Sequence, residues 1–164
     1  MTPPATVRQA ATPADMDEAR ALFREYADWL ADDLCFQGFA EELASLPGAY
    51  APPRGCLLLA GPAGAAIGCI ALRPIAVDGT ADGAVGEIKR LFVQPAARGQ
   101  GLGERLVAAI VDIARAAGYR ELKLDTLLHM TDARRLYERL GFAPCSPYYH
   151  NPLPGAVYLS RSLN

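Results

Sequence analysis

The sequence predicts a single α/β domain on a mixed sheet of about six to seven strands, with helices on both faces. Three observations carry this. The 164 residues fit one domain, spanning 1–164, and can bury a sizeable core. Strand-like apolar runs follow one another between residues 56 and 93, and beyond them strands alternate with helical periods, so one sheet needs both antiparallel and parallel pairing. No internal repeat, low-complexity tract or linker divides the chain.

The elements follow in order. Thr6–Ala10 predicts a short first strand. Thr12 reads as an N-cap, with Pro13 at the first helical position and Asp15 in the first turn. Met16, Ala19, Phe23, Tyr26 and Leu30 then recur at helical spacing. A break at Cys35–Gly38 precedes a shorter helix over Phe39–Leu46, closed by Pro47-Gly48, and a loop covers Ala51–Gly55. Cys56–Ala60 and Ala66–Leu72 read as strands joined by the turn Gly61–Gly64, and Asp78–Gly83 as a polar loop before a strand over Val85–Val93. A helix from Leu102 to Ala117 ends at Gly118, a residue suited to the left-handed position after a helix. Glu121–Leu127 is a strand, Asp132–Leu140 a helix stopped by Gly141, Pro144–Pro154 a Pro-rich loop and Val157–Leu163 the last strand. The resulting order is β-α-α-β-β-β-α-β-α-β-β, with no bounds assigned to the strand before the last.

Composition removes several function classes. The hydrophobic fraction of 51% is inflated by 30 alanines, and no run approaches the roughly 18 apolar residues of a membrane span. The opening MTPPATVRQA lacks the charged-then-apolar order of a signal peptide. Cys35, Cys56, Cys69 and Cys145 form no C-x-x-C pair, and His129 and His150 stand apart from them. No metal site and no disulfide scaffold is therefore expected, and reduced thiols in a cytoplasmic protein are. A pI near 5.7 argues against nucleic-acid binding. The net charge of −2 is unevenly spread: residues 1–45 hold nine acids against three arginines, and residues 88–139 hold ten bases against six acids.

The chemically informative segment runs from Glu87 to Gly103. A strand enters a turn with Gly99, Gly101 and Gly103, and a helix begins there. The first N–H groups of a helix are unpaired and carry the positive end of its dipole, so glycines that let an anion approach make a phosphate the natural ligand. Arg98 adds a charged donor. A P-loop is excluded because no Lys-Ser/Thr follows the glycines. A dinucleotide fingerprint is excluded because Glu104 or Leu106 falls where its third glycine belongs.

Arg98 to Gly103 instead reads R-x-x-G-x-G after Leu91-Phe92-Val93, and Ala133-x-x-Leu136-Tyr137-x-x-Leu140-Gly141-Phe142 follows about 35 residues later, with a strand between. Both motifs, specific over residues 87–142, resemble those of the GNAT superfamily of acyl-CoA-dependent N-acetyltransferases, and the element order agrees from Val7 to Leu163. The resemblance implies a GNAT-like acyl-CoA N-acyltransferase fold and acetyl-CoA as co-substrate, without a metal. Arg98, Gly99, Gln100, Gly101, Leu102 and Gly103 would hold the pyrophosphate. Leu91, Phe92 and Val93 would border the pantetheine arm, with the Leu91 N–H toward the thioester oxygen, where negative charge develops. Tyr137 matches the tyrosine that protonates the departing thiolate, and Glu87, eleven residues before Arg98, the glutamate that serves as general base. Met130 stands where many members carry an Asn on the pantetheine.

The same resemblance assigns acceptor choice to the first two helices, their connection and the C-terminal segment, hence to Tyr26, Trp29, Phe36, Gln37, Tyr148 and Asn151. Aromatics among polar groups suit a small-molecule pocket. Asp32 and Asp33 could attract a cationic amine, whereas Arg73, Lys89 or Arg90 could hold a carboxylate. A small-molecule amine is the leading acceptor, with a peptide N-terminus and a non-catalytic acetyl-CoA-binding regulator as alternatives. Many relatives form homodimers, but one chain does not reveal an interface.

Overall fold

The computed structural model describes residues 5–30 and 38–164. Its elements are β1 (Val7–Gln9), α1 (Pro13–Leu30), α2 (Phe39–Ser45), β2 (Cys56–Ala60), β3 (Gly68–Ile75), β4 (Val85–Val93), α3 (Leu102–Ala116), β5 (Glu121–Leu127), α4 (Thr131–Arg139), β6 (Ala143–Pro144) and β7 (Ala156–Ser162). The seven strands form one sheet in the order β1-β2-β3-β4-β5-β7-β6. The predicted class and element order hold. β3 starts two residues later than Ala66 and runs on to Ile75, because the Gly61 turn is closed by bonds from Ala65 N to Pro62 O and from Ile67 N to Ala60 O. β6 contains Pro144, which a sheet tolerates here because β6 is an edge strand.

Two cores lie on the two faces of the sheet. The α3 stripe of Leu102, Leu106, Val107, Ile110 and Val111 packs with Leu58, Ile70, Leu72, Leu122 and Leu124. Met16, Leu22 and Phe23 of α1 pack with Leu57, Leu59, Ala71 and Phe92. Period-two alternation sends neighbouring strand residues to opposite faces, so β2 is apolar along its whole length. α1 is started by a reciprocal cap: the Asp15 N–H donates to Thr12 Oγ1 at 3.1 Å, and Asp15 Oδ2 accepts from the N–H groups of Ala11 and Thr12.

The sheet's one departure from regularity creates the site. β4 pairs with β3 from Val85 to Val93, but with its parallel neighbour β5 only at Val85–Glu121, Gly86–Leu122 and Glu87–Lys123. Beyond Glu87 the two strands part. On the β3 side, a bulge sets Arg90 and Leu91 opposite Ile70, and Arg90 takes φ 61°, a conformation that costs a non-glycine residue about 1–3 kcal/mol. The extra residue resets the alternation. Lys89, Arg90 and Phe92 then face the α1–α2 side, and Leu91 and Val93 pack against the α3 core.

Candidate active site

The glycine turn stands at the open end of β4. A single turn of 3-10 helix, Pro95–Ala97, leads to Arg98, and Gly99 and Gly101 have φ 80° and 75°. A β-carbon at either would meet no atom within 4 Å, so it is the backbone conformation that selects glycine there. Gly101 is the N-cap of α3 and gives no side-chain cap, which leaves the first N–H groups of α3 without an intrahelical partner. Gly103 has another reason: its β-carbon would lie 3.3 Å from Leu136 Cδ2, where α3 and α4 approach.

These elements border a groove of about 490 Å³. Leu91, Phe92, Val93, Arg98, Gly99, Gly101, Leu102, Gly103 and Met130 line it, as do Trp29, Arg135 and Arg139. Gln100 is exposed and lies outside the lining, since the turn aims it at solvent. Trp29, read from sequence as an acceptor residue, borders this groove instead. The Arg98 guanidinium lies 4.7 Å from the Trp29 ring centre, and its Nε donates to the Val93 carbonyl at 2.9 Å. The groove's shape and donors fit coenzyme A. α3 N–H groups and three arginines suit a pyrophosphate, and the apolar wall of Leu91 to Val93 suits the pantetheine arm.

Where β4 and β5 have parted lies a second, narrow cavity of about 50 Å³. α1 gives it Tyr26, β4 Lys89, β5 Asp125, α4 Tyr137 and the C-terminal loop Asn151. Leu91, Met130 and Ala133 line both spaces, so groove and cavity meet beside them. Tyr137 is buried at that junction and stacks edge-on against Phe142. Burial, with Tyr26 and Asp125 adding to it, raises its hydroxyl well above the ordinary tyrosine value, so it keeps its proton at any working pH. Burial likewise pushes Tyr26 up to about 12.

Glu87 sits elsewhere. It is 1% exposed and outside the lining of either space. Its Oε1 accepts from Arg73 Nε at 2.8 Å, and its Oε2 accepts from the Tyr148 hydroxyl. Arg73 is its direct partner across the β3–β4 ladder, which is why the ion pair forms there and not with Lys89 or Arg90 along its own strand. Tyr148 is thereby tied to Glu87 and does not line the cavity. Arg90 Nε and Nη2 hold the Glu42 carboxylate at 2.8 and 3.0 Å. Burial alone would lower Arg90, but Glu42 more than offsets this and holds it above its ordinary value.

Asn151 is buried, and its Nδ2 donates to Asp125 Oδ2 at 2.8 Å. The Tyr149 hydroxyl donates to the same oxygen. Lys89 and Asp125 lie two residues past the last β4–β5 ladder pair, facing each other across the opening with Nζ and Oδ1 3.6 Å apart. Desolvation lowers the Lys89 ammonium, while Glu87 and Asp125 work against it. Sequence reasoning treats Lys89 as one of three alternatives, and names Asp125 only beside His129 as a group that could compensate for Met130. The available signal was a charged residue in each of two otherwise apolar strands. His129 is exposed and outside the cavity. Phe36 and Gln37, with Asp32, Asp33 and Cys35, lie outside the described residues. Among the described residues no cluster of metal-ligating side chains occurs, and no helix is long and apolar enough to cross a membrane.

Comparison with known proteins agrees with this geometry. The family model "Acetyltransferase (GNAT) family" matches residues 14–142. An uncharacterized N-acetyltransferase of Schizosaccharomyces pombe is 39% identical over 153 residues, covering 93% of this chain and 91% of the relative. An aminoglycoside N(6')-acetyltransferase type 1 of Stenotrophomonas maltophilia is 32% identical over 154 residues, covering 90% and 94%. A Salmonella typhimurium protein solved with its cofactor acetyl-CoA has the same fold, with a TM-score of 0.74 at 19% identity over 99% of this chain and 95% of that one. With both motifs on one groove and the family model spanning most of its length, the chain belongs to the GNAT family of acetyltransferases.

Proposed function

We propose that this chain transfers an acetyl group from acetyl-CoA to the primary amine of a small molecule by direct attack in a ternary complex. The observation that carries this is the meeting of groove and cavity at Leu91, Met130 and Ala133, with Tyr137 beside the junction. The co-substrate would supply an activated acyl carbon, and the α3 N-terminus and Arg98 would hold its pyrophosphate. To do so, Arg98 would leave the Val93 carbonyl, freeing that acceptor for the pantetheine arm.

In the reaction, the amine nitrogen bonds to the thioester carbon and the carbon–sulfur bond breaks. The Leu91 N–H holds the carbonyl oxygen as charge develops on it. Tyr137, which lines the cavity beside the junction, gives its hydroxyl proton to the departing thiolate. The amine's surplus proton reaches Glu87 through water, because neither Glu87 nor the Tyr148 bonded to it lines the cavity. A cavity this narrow favours a small acceptor over an extended peptide. Cys56, Cys69 and Cys145 are free thiols, which supports a cytoplasmic setting.

The test is an amine panel read by free-thiol release from acetyl-CoA, beside a coenzyme A titration followed by fluorescence of the single tryptophan. Binding with turnover on some amines is expected. Binding with no turnover on any amine would favour the regulator. Glu87→Gln should lower turnover and flatten the acidic limb of the pH–rate profile, and an unchanged profile would remove its role as base.

A further inference from the structure

The three cations that face the α1–α2 side of β3 and β4 are not equally occupied. Arg73 is held by Glu87, and Arg90 by two hydrogen bonds to Glu42. Lys89 differs. Its side chain is 4% exposed, it lines the cavity, and among the described residues its ammonium has no hydrogen-bond acceptor, only Asp125 Oδ1 at 3.6 Å. That distance exceeds a hydrogen bond. Glu87 and Asp125 both oppose its desolvation and the Tyr149 ring lies 5.9 Å away, but none of them gives the ammonium a hydrogen bond, and a buried charge needs good hydrogen-bond geometry to repay its desolvation.

Asp125 is the complementary half. Its Oδ2 is filled by Tyr149 and Asn151, while Oδ1 takes no hydrogen bond among the described residues. Lys89 Nζ and Asp125 Oδ1, paired at a distance too long for a hydrogen bond and without another hydrogen-bond partner among the described residues, therefore border the same cavity from opposite strands. The pair is neutral overall, so the ligand that matches both is a zwitterion.

Resting on the transferase reading above, we propose that the acceptor is an amino-acid-like zwitterion, its carboxylate bound by Lys89 Nζ and its ammonium received by Asp125 Oδ1 before deprotonation. Lys89 lies two residues before Leu91 on the same strand, so the carboxylate is within a few bonds of the reacting nitrogen. Arg73 and Arg90 are excluded as the anchor because releasing either would strand a buried carboxylate.

Matched acceptors test this: α-amino acids, the same molecules as carboxamides, and the amines lacking the carboxylate. Calorimetric binding to the protein loaded with coenzyme A is measured separately from thiol release with acetyl-CoA. The wild type should bind the carboxylate forms about 10- to 100-fold more tightly than the carboxamides. Lys89→Met should remove that preference through binding and KM more than through kcat. Lys89→Arg should restore much of it, and a preserved tryptophan response to coenzyme A shows that each variant is folded. Equal binding of acid and amide by the wild type, or an undiminished preference in Lys89→Met, overturns the proposal. Preferential binding of the acids without any thiol release would sustain the zwitterion site and overturn the transferase reading instead.

Discussion

The groove and the cavity are neighbours built on different principles. The wall and floor of the groove come largely from one continuous run, Leu91 to Gly103, closed by α4. The cavity draws single residues from α1, β4, β5, α4 and the loop after β6. In the groove, the backbone supplies the chemistry through positive-φ glycines and the open N-terminus of α3. In the cavity, side chains supply it, and each is placed by the register of a different element. A backbone site can be read along the chain, whereas a side-chain site has to be assembled. Under the proposed function, this difference separates a coenzyme A groove from a cavity that would choose the acceptor.

The largest expected effect falls where the two spaces meet. Tyr137→Phe should lower kcat by about 100-fold or more while changing the KM for acetyl-CoA little, as expected of a proton donor to the leaving group. Steady-state kinetics with varied acetyl-CoA checks this, and an unchanged kcat would end the acid assignment. Gly101→Val breaks the groove alone. A β-branched residue at φ 75° is strained and disturbs the α3 N–H groups, so coenzyme A affinity should fall about 10- to 100-fold in a Trp29 fluorescence titration. Acceptor binding, measured at saturating coenzyme A, should change far less. Equal losses on both sides would erase the distinction drawn between the two spaces.

The smallest effect touches neither. N–H bonds from Ala11 and Thr12 and the Arg8 guanidinium hold the Asp15 carboxyl well below its ordinary value. A carboxyl with a depressed folded-state pKa contributes stability above its unfolded value near 3.9, and this is lost as pH falls toward the folded one. Urea unfolding at pH 6 and pH 3 should show the wild type weakening in acid, and Asp15→Asn should narrow that gap. Coenzyme A affinity at neutral pH should be unaltered.

Legibility followed the same divide. Thr12, Pro13 and Asp15 announced α1, and the cap forms as read. Gly99 and Gly101 announced the turn, and both have the positive φ that selects glycine. Glu87 shows the other case: its ion-pair partner is Arg73, fourteen residues away, and that pairing depends on hairpin register. The bulge at Arg90 left no mark in composition, and without it Lys89, Arg90 and Phe92 would not share a face.

By itself, the sequence determined the element order, the glycine turn that opens α3 and the helix that carries Tyr137, since these depend on dihedral preference, capping and helical period, all local along the chain. Only the tertiary structure decided that β4 and β5 part after Glu87, that Glu87 is shielded, and that Lys89 faces Asp125 across the gap. Those outcomes depend on which strands pair and where they stop pairing. Strand register is a property of contacts between distant segments, and no single segment encodes it.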